Sequence, residues 1–140
     1  MAAMLYETKT AIVIRRDLAA WQIANVAAFL AGGLTGAHPV MVGEAYRDGS
    51  ARTYTPLIRE PVFVYGGTLD ELRRTHQRAL SRELVPAIYI DAMFKTTNDA
   101  DNRAAVAAAD AEALDFVGIG VHGPRKVIDK VINKLKFFGA

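Results

Sequence analysis

The chain has 140 residues, 51% of them hydrophobic and 23% charged, the size and composition of one globular domain spanning residues 1–140 with its own core. A formal net charge of +2 is too small for a dedicated polyanion binder, and the absence of cysteine excludes disulfides, thiolate metal centres and thiol nucleophiles together. Cysteine-free composition suits a reducing, cytoplasmic setting, and Met1 to Glu7 shows neither the basic start nor the apolar run of a secretory signal.

Thr8 to Ile14 is rich in β-formers and ends in Arg15, Arg16 and Asp17, which predicts a strand whose carboxyl end meets solvent. Asp17 is placed to cap a helix from about Ala19 to Leu30, with Ile23, Val26, Ala27 and Leu30 on one face and Gly32, Gly33 and Gly36 stopping it. Leu18 to Leu34 is the most membrane-like stretch, but Gln22, Asn25 and the Gly32-Gly33 pair interrupt it, so no membrane partner is expected. Trp21 and Phe29 on this helix read either as a base-stacking platform or as core or dimer contacts.

Between Pro39 and Pro61, Val40 and Val42 lead to Tyr46, the turn signal Asp48-Gly49, and then Thr53 and Thr55, which predicts a hairpin insert. Pro61 to Tyr65 predicts a core strand ended by Gly66-Gly67. Thr68 with Glu71 forms a capping-box signature for a helix carrying Leu69, Leu72, His76, Ala79 and Leu80 on one side, with Arg73, Arg74, Arg78 and Arg82 largely elsewhere.

Pro86 to Asp91 predicts a short strand, followed by the polar run Lys95 to Asp99 and a helix from about Asp101 to Ala109 capped by Asn98 or Asp99. Phe116 to Val121 is the next strand, and a last helix starts at Pro124 with Val127, Ile128, Val131, Ile132 and Leu135 as its apolar stripe. From His122 onward Arg125, Lys126, Lys130, Lys134 and Lys136 stand against Asp129 alone, a basic terminus that reads first as a solvated face. The alternation of strands and helices predicts a three-layer α/β/α sandwich with a mixed sheet of about four main strands. In open sheets of this kind ligands bind at the loops after strand carboxyl ends, here Arg15 to Asp17, Gly66-Gly67 and Asp91 to Thr97.

Three blocks resemble the type II peptidyl-tRNA hydrolase family. Ala11-Ile-Val-Ile-Arg-Arg-Asp17-Leu18 followed by Gln22-Ile23-Ala24 is similar to that family's strand, R-x-D-L element and K-I-A. Ile88-Tyr-Ile-Asp91-Ala92 resembles the strand ending in D-A-G-R-T, and Gly118-Ile119-Gly120 with Val127 to Val131 and Leu135-Lys136 resembles G-I-G-P and I-D-K-V-x-x-x-L-K. A closer resemblance is to an uncharacterised bacterial domain-of-unknown-function family, number two thousand, whose D-A-M-F-x-T run is similar to Asp91-Ala92-Met93-Phe94-Lys95-Thr96. The resemblance implies the hydrolase-like fold and carries a catalytic aspartate onto Asp91 and, with one residue inserted, a threonine onto Thr96 and an arginine onto Lys95. The family's lysine falls on Gln22, which cannot carry a positive charge. Losing one oxyanion donor costs about two to three orders of magnitude in rate, so efficient peptidyl-tRNA hydrolysis is not expected.

Asp91, Lys95, Thr96, Thr97 and Asp99, with Asn102 and Arg103 one helical turn on, form either a ligand loop or a loop that only caps the next helix. In the ligand reading Asp17 and Asp91 sit on neighbouring strand ends, with Arg15, Arg16 or Lys95 available to pair a carboxylate or phosphate. Gly118-x-Gly120-x-x-Gly123 stands between a strand and a helix like a dinucleotide fingerprint, yet the sequence given offers no following strand with an acidic residue, so tight packing is the expected use. A helix start beside His122 remains able to hold an anion. His38, His76 and His122 lack metal-site spacing, Ser50 and Ser81 lie in no nucleophile elbow, and no metal or cofactor is expected. Three functions are in play: a binder of a small anionic or nucleotide-like ligand using Arg15, Asp17, Gln22, Thr97 and His122; a slow or re-purposed ester or amide hydrolase of a tRNA-like substrate using Asp91, Lys95 and Thr96; and a homodimeric module built on Phe137-Phe138 and the hairpin.

Overall fold

The continuous apolar run Ala11, Ile12, Val13, Ile14 is buried on both sides, as a central strand must be. The computed structural model describes residues 6–140, and in it this strand, β1 (Thr8–Arg15), lies in the middle of a mixed sheet. Its parallel neighbour is β4 (Val62–Gly67) and its antiparallel neighbour is β6 (Phe116–Pro124). β5 (Ala87–Ile90) and β7 (Lys136–Phe137) close the two edges, giving the order β5-β6-β1-β4-β7. β1, β4 and β5 therefore point the same way, and their carboxyl ends share one rim of the sheet.

Helices cover both faces. Ala11 and Val13 pack with Leu72 and Ala79 of α2 (Leu69–Ser81) and with Ile128 and Val131 of α4 (Arg125–Val131). Ile12, Ile14 and Tyr89 pack with Val26 and Leu30 of α1 (Ala20–Ala37). No helix among the described residues is long and apolar enough to cross a membrane.

α1 runs straight through Gly32, Gly33 and Gly36, which were expected to stop it. A helical glycine costs about 1 kcal/mol relative to alanine, so three cost about 3 kcal/mol, and the extra two turns offset this by burying Leu34 against the sheet, worth about 1.5–3 kcal/mol, and by adding helical hydrogen bonds. Conversely, the last helix stops at Val131 instead of reaching Leu135. Lys134 takes a positive φ of 71°, the chain reverses, and Phe137 stacks on Tyr65 at 4.9 Å while Lys136 and Phe137 pair with β4. Phe138 packs into the α1-side core, so the aromatic terminus is in part internal to the fold.

Gly118 and Gly120 lie beneath α1. A Cβ on Gly118 would stand 2.4 Å from Val26 Cγ1 and 3.0 Å from Leu30 Cδ1, and one on Gly120 would stand 3.0 Å from Leu34 Cδ1. The glycine pattern is thus the seat of a helix on a strand, as expected from the failed dinucleotide fingerprint. The insert forms the predicted hairpin, with β2 (Tyr46–Arg47) pairing β3 (Thr53–Tyr54). Its turn is held by the Asp48 carboxylate, which accepts from the amides of Ser50 and Arg52, and the positive φ falls on Ala51, not Gly49. Thr68 and Glu71 make the reciprocal cap of α2, at 3.2 and 3.0 Å. Asn98 caps α3 (Asp99–Ala107) by accepting from the Asp101 amide at 2.8 Å.

Candidate functional site

The rim where β1, β4 and β5 end is occupied first by a tight charge cluster. Asp17 and Asp91 were expected on neighbouring strands, but β6 runs between β1 and β5 and separates them. Sequence order gave no hint that a late antiparallel strand would insert there. Asp115, which precedes β6, fills the gap: Arg15 donates to Asp17 at 3.1 and 2.7 Å and to Asp115 at 2.9 Å. The hydrogen bond to Asp17 raises the Arg15 pKa and lowers that of Asp17, a mutual stabilisation of charges. Arg15 is thereby neutralised by two carboxylates and is not free to receive an anion. Arg16 folds across β4 and donates to the Gly66 carbonyl at 3.1 Å. Gln22, standing where the hydrolases carry lysine, accepts from the Ala19 amide at 2.9 Å and serves as a helix cap.

Beyond β5 the chain makes a 3-10 turn, Asp91–Lys95, which forms a ridge between two hollows. On one side a hollow of about 520 Å³ is lined by Asp91, Lys95, Leu114 and Asp115. On the other a cleft of about 470 Å³ opens between α1 and α3. Trp21, Asn25 and Phe29 face it from α1, spaced four apart along one side of the helix. Phe94 from the ridge completes an aromatic wall: edge-on contacts run from Trp21 to Phe94 at 5.8 Å and from Tyr89 to Phe29 at 5.6 Å, joined by a tilted contact of Phe94 with Tyr89 at 5.2 Å. Asn25 donates to the Tyr89 hydroxyl at 3.2 Å and holds that ring in place. Trp21 is 63% exposed and Phe29 56%, so neither is a core side chain.

The facing rim is polar: Thr96, Thr97, Asn98, Asp99 and Asn102. Thr96 Oγ1 sits 3.0 Å from the Met93 carbonyl and within reach of the Asn102 side-chain amide. A hydroxyl carries one hydrogen, so that donor is engaged in fastening the ridge to α3. Arg103 pairs with Asp99 one turn away. Among the described residues Lys95 is in no ion pair, and it is the cation left free at the ridge.

A family model described as protein of unknown function (DUF2000) matches residues 8–138. The chain belongs to that family. A solved structure of a protein of unknown function from Agrobacterium tumefaciens is similar to it at 37% identity, over 95% of this chain and 98% of that one, with a TM-score of 0.92. No curated protein matches.

In this DUF2000 chain His122 is not at the ridge. It was expected beside a helix start, but it lies inside β6, buried, opposite Thr10 of β1 and away from the carboxyl rim. The helix begins only at Arg125. His122 Nδ1 is 2.8 Å from Thr10 Oγ1 and 3.6 Å from Glu60 Oε1, and Glu60 accepts from Thr8 at 2.9 Å and from Thr10 at 3.3 Å. This buried cluster, with the His38 ring 4.8 Å from His122, ties the insert to the sheet. Sequence reasoning missed Glu60 and Thr10, because nothing in their spacing places a loop carboxylate under β1. His76, on the apolar side of α2 as expected, is half-buried and packs on Phe116 at 4.7 Å.

Burial lowers the pKa of both His122 and His76, the Glu60 charge only partly offsetting it at His122. The unfolded chain therefore takes up these protons first, at a pKa of about 6.5. Stability from this source is full above that value and falls as pH drops from about 6.5 through the depressed folded values, because the unfolded state binds more protons there. Urea midpoints measured between pH ~7 and pH ~5 should fall, and His122→Gln should flatten the slope. An unchanged slope in that variant would assign the loss to other groups.

Proposed function

We propose that this chain is a binding module for a small nucleoside- or nucleotide-like ligand, seated in the cleft between α1 and α3, on a scaffold of the type II peptidyl-tRNA hydrolase kind. One observation carries the reading: an aromatic wall with two rings more than half exposed faces a rim of amides and hydroxyls. Flat faces and hydrogen-bonding edges are what a nucleobase offers. Base-on-aromatic stacking is worth about 1–3 kcal/mol, and Asn side chains carry both donors and acceptors for the ring edge. Of the cations expected to meet an anionic group, Arg15 is neutralised and Arg16 is folded against Gly66, which leaves Lys95; it lines the hollow across the ridge, so a phosphate on a ligand seated in the cleft meets it by reaching over the ridge.

The second reading, a slow hydrolase, is favoured by Asp91 and Lys95 lining one hollow with Asp115. In it Asp91 orients a water and Lys95 stabilises the developing charge. Against efficient turnover stand the cap role of Gln22 and the engaged hydroxyl of Thr96.

Calorimetric titration with adenosine, uridine and their 5′-monophosphates tests both. Saturable binding is expected, with Lys95→Gln weakening the monophosphate about tenfold and leaving the nucleoside unchanged, as for one lost charge-assisted hydrogen bond. No saturable heat with any of the four would overturn the binding reading. Turnover of a model peptidyl-tRNA that vanishes in Asp91→Asn would select the hydrolase.

A further inference from the structure

The opposite face of the sheet carries a second, cationic hollow that the cleft does not use. α2 and α4 lie side by side there, and between them is a groove of about 450 Å³ lined by Arg78, Arg82, Lys126, Asp129, Lys130 and Asn133. Arg78 of α2 and Arg82 at its C-cap are four apart, and Lys126 and Lys130 are four apart on α4. Like charges at that spacing repel, and here two such pairs share one hollow. The single carboxylate among them, Asp129, is drawn off by Lys9 at 2.7 Å. Arg78 donates one terminal nitrogen to the Asn133 carbonyl at 2.8 Å, and Arg82 one to the Arg78 carbonyl at 3.3 Å. Arg82 also donates to the Ser81 hydroxyl at 3.3 Å; these bonds hold both guanidinium groups at the groove, and the other terminal nitrogen of each has no protein acceptor among the described residues.

We infer that this groove is a binding site for a chain of phosphate groups, free or carried by a small ligand. The concavity, the four cations and the rigid, fork-shaped donors of the two arginines suit several linked phosphates better than a single carboxylate. A volume of about 450 Å³ fits a small oligophosphate, not a duplex. The site is independent of the aromatic cleft and stands or falls without it.

The test uses the full chain with tripolyphosphate and a nucleoside triphosphate as probes, followed by calorimetry and by the melting midpoint. Both probes should bind and raise the midpoint, and Lys126→Gln/Lys130→Gln, two exposed substitutions, should weaken binding at least tenfold and remove the shift. Arg78→Gln should act in the same direction, while Trp21→Ala should leave the tripolyphosphate affinity unchanged. Equal affinity of both probes makes the phosphate chain the whole determinant; tighter binding of the triphosphate adds the nucleoside to it. Failure of both probes, equal binding by the double lysine variant, or equal binding of polyglutamate would each overturn the proposal. So would capture of a single-stranded oligonucleotide with no response to tripolyphosphate, which would make the face a nucleic-acid surface.

Discussion

Gly118→Ala is expected to lower the unfolding free energy by about 3 kcal/mol, the upper end of what overpacking a filled core costs. The added methyl would stand 2.4 Å from Val26 Cγ1, inside any tolerable contact. Val26 is fully buried in the middle of α1, and a valine in a helix has essentially one rotamer, so it cannot swing aside. Either the helix lifts off β6 or β6 bends. The same change at Gly120 meets the tip of Leu34 at 3.0 Å, where a leucine can adjust, and should cost about 1 kcal/mol or less. Urea midpoints for the two variants check this ordering. Because α1 also carries Trp21, Asn25 and Phe29, Gly118→Ala should weaken ligand binding in the cleft as well, whereas Gly120→Ala should not.

Trp21→Ala is expected to reduce nucleoside affinity by about 5- to 150-fold, the equivalent of losing one stacking partner worth about 1–3 kcal/mol. Stability should barely move, because the ring is 63% exposed and touches the fold mainly through its edge contact with Phe94. Calorimetry and a denaturation curve on one sample separate the two effects. A stability loss typical of a buried tryptophan with unchanged affinity would make Trp21 a packing residue and remove the aromatic wall from the site.

Much of this architecture is written locally in the chain. The β-formers of Thr8 to Ile14, the reciprocal cap at Thr68 and Glu71, and the Asn98 cap each specify an element within a few residues, and all three form. The errors arise where distant packing decides. Gly32 and Gly33 look like a helix stop until Leu34 finds its place on the sheet, and the apolar stripe through Leu135 looks helical until Phe137 finds Tyr65. The site shows the same division. The polar run from Asp91 to Thr97 marks the ridge from sequence, but the pairing of Arg15 with Asp115 depends on β6 entering between β1 and β5, a long-range event with no local trace. For the cleft a signal was present: Trp21, Asn25 and Phe29 recur every fourth residue, offset from the core stripe of Val26 and Leu30. Such an offset marks a second face of the helix, one the sheet does not cover.

Trp21 is the chain's one tryptophan and it stands in the proposed cleft, so its emission reports occupancy directly. Titrating the protein with adenosine should quench that emission along a hyperbolic curve that levels off, with Phe94→Ala shifting the curve to higher concentration. Quenching that rises linearly without a plateau, and no faster than for a tryptophan amide free in solution, would show that no base stacks there and would contradict the account.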